Sequence, residues 1–206
     1  MLKYILLFTI AAGNLFYCSN GFGQELNYTI LWKNDSIGFL KANRGPSNNF
    51  VKYNIQSDVS VRFLAKVDMV YKFENIYSNG VLVKGTSSNF VNDKKRSFTL
   101  IKWDGKNYTA QVDDDEVSVP NKPIKFSMTS LYYKEPIGLN EIFSERFAVY
   151  CAINEISPHK YELTLPNGKK NYYTYKDGIC TLVEVNHAIA TFYFKLQDND
   201  GKIVLN

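Results

Sequence analysis

From Val59 to Glu74 the chain alternates apolar and polar side chains residue by residue. The odd positions are Val59, Val61, Phe63, Ala65, Val67, Met69, Tyr71 and Phe73. The even positions include Ser60, Arg62, Lys66, Asp68, Lys72 and Glu74, with Leu64 and Val70 as the exceptions. A period of two belongs to extended chain, in which successive side chains point to opposite faces. Fully extended, such a run would span about 50 Å, well beyond the usual strand. The run is therefore expected to be one long bent strand, or two strands joined by a bulge, in a strongly curling sheet.

Turn signals recur along the rest of the chain at hairpin spacing. Asn34-Asp35, Asn79-Gly80, Asp104-Gly105, Asn167-Gly168, Asp177-Gly178 and Asp200-Gly201 each lie between strand-like runs. Such pairs supply the positive φ that tight hairpins need. The segments 148–156, 159–166, 171–176 and 179–186 read as consecutive hairpin strands. The expectation is an all-β, mainly antiparallel fold of about 10–12 strands, curled into a half-barrel or barrel that hides its edges. Residues 24–206 form a single β-rich domain. One stretch breaks the pattern: in LYYKEPIGLNEIFSERF, Leu139, Ile142, Phe143, Arg146 and Phe147 take helical spacing, which predicts a short helical insert near 138–147.

The first residues read as an export signal. Lys3 precedes an apolar run from Tyr4 to Tyr17, too short for a membrane span, and Gly21-Phe22-Gly23 supplies the small residues of a cleavage site. A signal peptide over 1–23, cleaved after Gly23, implies export to the periplasm or cell envelope. Lipidation at Cys18 is the competing reading, disfavoured by Tyr17 immediately before it. Without Lys3 the chain carries 23 basic against 20 acidic residues, interspersed and without a basic stripe. That excludes a dedicated nucleic-acid binder. Cys151 and Cys180 are then the two remaining cysteines, a candidate disulfide in an oxidising compartment. In a plain meander, however, their strands lie about 14 Å apart, and a bridge needs Cα atoms within about 7 Å. Either the strand order departs from a meander or the thiols are separate and buried.

Catalytic signals are absent. Ser144, His187 and Glu184 can be written as a triad, but neither a nucleophile elbow nor an oxyanion-type glycine loop accompanies them. The two histidines and two cysteines lack zinc spacing, and Asp198-Asn199-Asp200-Gly201 lacks the first and last ligands of a calcium loop. No phosphate-binding loop or other cofactor motif is present. The chain is read as a non-enzyme without cofactor or metal. What remains is aromatic. Tyr132, Tyr133, Phe143 and Phe147, with Arg146, gather in the insert and are the candidate ligand contacts. They either cover a hydrophobic or lipid-like ligand in a curled sheet or plug a filled core in a structural module that meets an envelope partner. For Glu145 and Arg146 the expectation is anchoring of the insert to strand residues. The sequence does not fix the oligomeric state.

Several stretches resemble a known family. They are Asn121-Lys122-Pro123, Leu131-Tyr132-Tyr133-Lys134-Glu135-Pro136, Phe143-Ser144-Glu145-Arg146-Phe147, Tyr161-Glu162-Leu163, and Pro166-Asn167-Gly168-Lys169-Lys170-Asn171-Tyr172-Tyr173 with Tyr175 and Gly178. Together with Tyr28 and Gly38, they resemble an uncharacterised family of secreted Bacteroidota proteins known only as a domain of unknown function. The resemblance covers most of 24–195. It implies a Gram-negative envelope location and transfers no active site. More loosely, the start of the mature chain looks like envelope proteins whose curled sheets resemble periplasmic lipoprotein carriers. That likeness implies an open half-barrel, closed by short helices, that binds acyl chains.

Overall fold

The computed structural model describes residues 23–62, 65–186, 190–198 and 200–204. The expected leader, apart from Gly23, lies outside the described residues, as do His187 and Asn199. Among the described residues fourteen strands follow one another: β1 (Gln24–Trp32), β2 (Asp35–Ser47), β3 (Phe50–Arg62), β4 (Lys66–Ser78), β5 (Val81–Val91), β6 (Lys94–Trp103), β7 (Tyr108–Val112), β8 (Asp115–Val117), β9 (Glu141–Ser144), β10 (Val149–Ser157), β11 (Lys160–Thr164), β12 (Lys170–Lys176), β13 (Ile179–Asn186) and β14 (Thr191–Leu196). All pair antiparallel in one sheet of order β8-β7-β6-β5-β4-β3-β2-β1-β14-β13-β12-β11-β10-β9. The first and last strands therefore meet in the middle. The two edges, β8 and β9, are the strands on either side of the longest connection, 118–140.

That connection fills the concave side. Its 3₁₀ helix, Met128–Tyr132, is the one helical element among the described residues. Ile124 accepts from Leu82 N of β5 at 2.9 Å, and Phe126 accepts from Phe143 N of β9 at 3.2 Å. The Tyr77 hydroxyl of β4 meets Ser127 Oγ at 2.7 Å, and the Tyr175 hydroxyl of β12 donates to Leu131 O at 2.9 Å. One short segment reaches β4, β5, β9 and β12 only if the sheet curls around it. Each of three apolar clusters takes buried residues from it: Tyr133 among β1–β4 and β14, Leu131 among β9–β13, and Val119 and Ile124 among β4–β10.

The structure changes several sequence expectations. The alternating run 59–74 is a hairpin: Val61 faces Val67 and Val59 faces Met69. The connection between Arg62 and Lys66 has an odd number of residues, so the alternation passes through the turn in phase. No helix forms near 138–147; β9 runs through 141–144. Ile142, Phe143 and Ser144 are all buried, because Ile142 joins the apolar cluster of Leu131 on one face of β9 and Phe143 that of Ile124 on the other. A strand covered on both faces shows no alternation, and its apolar run is indistinguishable from a helix face. The candidate Cys151–Cys180 bridge is absent: both thiols are free and buried. They lie on β10 and β13 of a true meander, with β11 and β12 between. Asn79-Gly80 and Asp177-Gly178 do form positive-φ turns, joined by Lys33-Asn34 and Asn92-Asp93. At Gly38 a Cβ would stand 1.9 Å from Asp58 O, so β2 and β3 approach there more closely than any side chain allows.

Candidate functional site

The loop 145–148 joins β9 to β10, since Ser144 pairs with Val149. Such tips normally face solvent. Here Glu145 and Ala148 are fully buried. Glu145 Oε1 accepts from Asn75 Nδ2 of β4 at 2.6 Å and from Thr129 N at 3.1 Å, and its Oε2 accepts from Met128 N at 3.2 Å. Asn75 also donates to Thr129 Oγ1 at 2.7 Å. The carboxyl group thus satisfies the first free N–H groups of the 3₁₀ helix and ties that helix to both the loop and the sheet. Ala148 closes the turn at φ 52. Thr99 of β6 donates to Arg146 O at 2.7 Å, which fixes the loop backbone from the other side.

Beneath this loop lies a cavity of about 520 Å³. Its wall on one side is a set of facing rows across β2–β5: Leu40, Ser57, Tyr71 and Asn89 lie opposite one another in register, and Val59, Met69 and Val91 form the next row. Asn171, Val185 and Phe192 form a corresponding row on β12–β14. Met128 and Tyr132 of the 3₁₀ helix and Ser144, Arg146 and Phe147 of the hairpin complete it. Most lining groups are aliphatic or aromatic. Polar exceptions matter because buried polar atoms normally find partners. Asn89 Oδ1 is buried without one. So is Ser144 Oγ, whose polar neighbour is the Cys151 thiol.

The five candidate contacts separate. Tyr132, Arg146 and Phe147 line the cavity, and Tyr132 packs edge-on against Tyr28 at 5.5 Å. Phe143 does not: it is fully buried in the core, edge-on to Tyr150 at 5.3 Å, because β9 turns that face toward Ile124 and Ile101. Tyr133 does not either. The helix turns it away, into a different cleft with Arg44 and Phe126, edge-on to Tyr53 at 5.5 Å. The anchoring expected of Glu145 and Arg146 holds for Glu145, whereas the Arg146 side chain lines the cavity. Ser57, Asn89 and Asn171 escaped the sequence reading; their signal is a polar residue at an inward position of an otherwise apolar alternation.

Burial removes the cysteines as nucleophiles. It pushes the Cys151 thiol up to about 11 and the Cys180 thiol further, so neither is a thiolate near neutrality. Glu184 pairs with Lys160 at 3.0 Å, on the face opposite Val183 and Val185, and so faces away from Ser144. Among the described residues no three His, Cys, Asp or Glu side chains converge as metal ligands. Burial also raises the hydroxyls of Tyr28, Tyr132, Tyr173 and Tyr175 well above the ordinary value of 10.0. In the unfolded chain these thiols and phenols lose protons from about pH 9–10, while the folded protein retains them. Stability is then complete below that range and falls as pH rises through it. Urea midpoints should stay level from about pH 7 to 8.5 and drop steadily above about pH 9.5. A level midpoint through about pH 11 would contradict the burial of these groups.

The family model described as Domain of unknown function (DUF6134) matches residues 28–197. No curated protein matches the chain. A solved structure, the beta-barrel-like protein of domain of unknown function DUF1849 from Brucella abortus, is similar to it in fold. The TM-score is 0.54 at 10% identity, over 84% of this chain and 94% of that one.

Proposed function

We propose, for a chain that belongs to the family described as Domain of unknown function (DUF6134), that it is a non-enzymatic carrier or receptor which holds an apolar, lipid-like ligand inside its curled sheet. The observation that carries this reading is the cavity of about 520 Å³ between β2–β5, β12–β14 and the inward-turned hairpin. That volume falls in the ~300–1,000 Å³ range of small-molecule sites. A structural module with a filled core would have no use for it. The mainly apolar lining favours a ligand bound by burial, at about 25 cal/mol for each Å² removed from water. Export to the cell envelope is part of the proposal, supported by the leader-like sequence of residues 1–23.

Titration of the delipidated protein with N-phenylnaphthylamine, a neutral apolar fluorophore, tests the reading. Saturable enhancement at one site per chain supports it. Enhancement no greater than that given by an unrelated β protein overturns it.

A further inference from the structure

The cavity is apolar but not neutral. Among the described residues Arg146 and Lys169 line it, and no aspartate or glutamate does. Neither side chain takes part in an ion pair among the described residues. The nearest acid in sequence, Glu145, is turned away and fully engaged by Asn75, Met128 and Thr129. Arg146 is held in place without a carboxylate: its guanidinium lies 5.8 Å from the Tyr71 ring and 5.3 Å from the Phe147 ring. Its carbonyl is fixed by Thr99 at 2.7 Å. A guanidinium offers five N–H donors in a rigid fork. A half-buried arginine braced by two rings, with no acceptor of its own, is a preorganised receptor for an anionic oxygen pair.

We infer that the ligand is an amphiphile with an anionic head, and that Arg146 receives that head while the chain lies against β2–β5 and β12–β14. This inference rests on the apolar-ligand reading above. A fatty carboxylate and an alkyl phosphate present the same charge, and the test separates them. Displacement of N-phenylnaphthylamine from the delipidated protein is measured with dodecanoate, dodecyl phosphate, dodecanol and dodecyltrimethylammonium at pH about 8, where both anions are ionised. One of the anions should bind about tenfold more tightly than dodecanol, and the cation most weakly; the tighter anion names the head group. Arg146→Gln should abolish that preference, bringing the anion to the affinity that dodecanol shows for the same variant, and Arg146→Lys should restore part of it. Equal binding of anion and alcohol overturns this inference alone. So does an Arg146→Gln variant that weakens all four probes equally. Failure of every probe to bind overturns the cavity reading with it.

Discussion

Replacing Glu145 with alanine is expected to lower stability by about 3 kcal/mol, a loss of roughly 6–12 °C in Tm for a domain of this size. The substitution strands three buried donors at once: the Asn75 amide and the N–H groups of Met128 and Thr129. Each buried donor left without an acceptor costs about 1–3 kcal/mol. Thr129 Oγ1 continues to accept from Asn75, which keeps the total below the simple sum. Glu145→Gln should fall between, since its amide preserves one acceptor and turns a second into a donor facing a donor. Urea denaturation read by far-UV circular dichroism measures both variants. Because the helix anchored by Glu145 carries Met128 and Tyr132 into the cavity wall, Glu145→Ala should also weaken N-phenylnaphthylamine binding. A change in stability below about 1 kcal/mol would contradict the anchoring role.

Filling the cavity should affect binding far more than folding. Ser57 is buried on β3, between Leu40 and Tyr71 in register, and lines the cavity. Ser57→Phe directs a ring into space that already exists, so stability should stay within about 1.5 kcal/mol of the parent. The ring takes the volume a ligand would use, and affinity for N-phenylnaphthylamine should fall at least about tenfold, equivalent to ~1.4 kcal/mol. Unchanged affinity in a variant that folds normally would place the probe elsewhere, for instance in the cleft beside Tyr133 and Arg44.

The regular part of this molecule was legible because hairpins leave local marks. Asn79-Gly80 and Asp177-Gly178 each close a turn, and the meander β10–β13 lies where alternation and turn residues place it. Alternation reports which face a residue takes, not where the chain reverses. The 59–74 run therefore hid a hairpin whose odd connection preserves phase. The stretch around FSERF misled for a different reason. β9 is covered on both faces, so Ile142 and Phe143 are buried together and mimic a helix. The helix that does form, over Met128–Tyr132, is too short for a periodic signal, and a carboxyl group seventeen residues later in the chain holds it. The candidate site was half legible. Arg146 and Phe147 stood out as a charged and an aromatic residue in an odd segment. Ser57 and Asn89 declare themselves only once the sheet register shows that they share an inward row with Tyr71.

The most direct test of the central claim is native mass spectrometry of the protein isolated without detergent, beside its Ser57→Phe variant. The parent protein should carry a non-covalent adduct of one lipid-like molecule per chain, lost on collisional activation and absent from the variant. Bare chains in both, joined with no uptake of dodecanoate, dodecyl phosphate or dodecanol by the parent protein, would contradict the account.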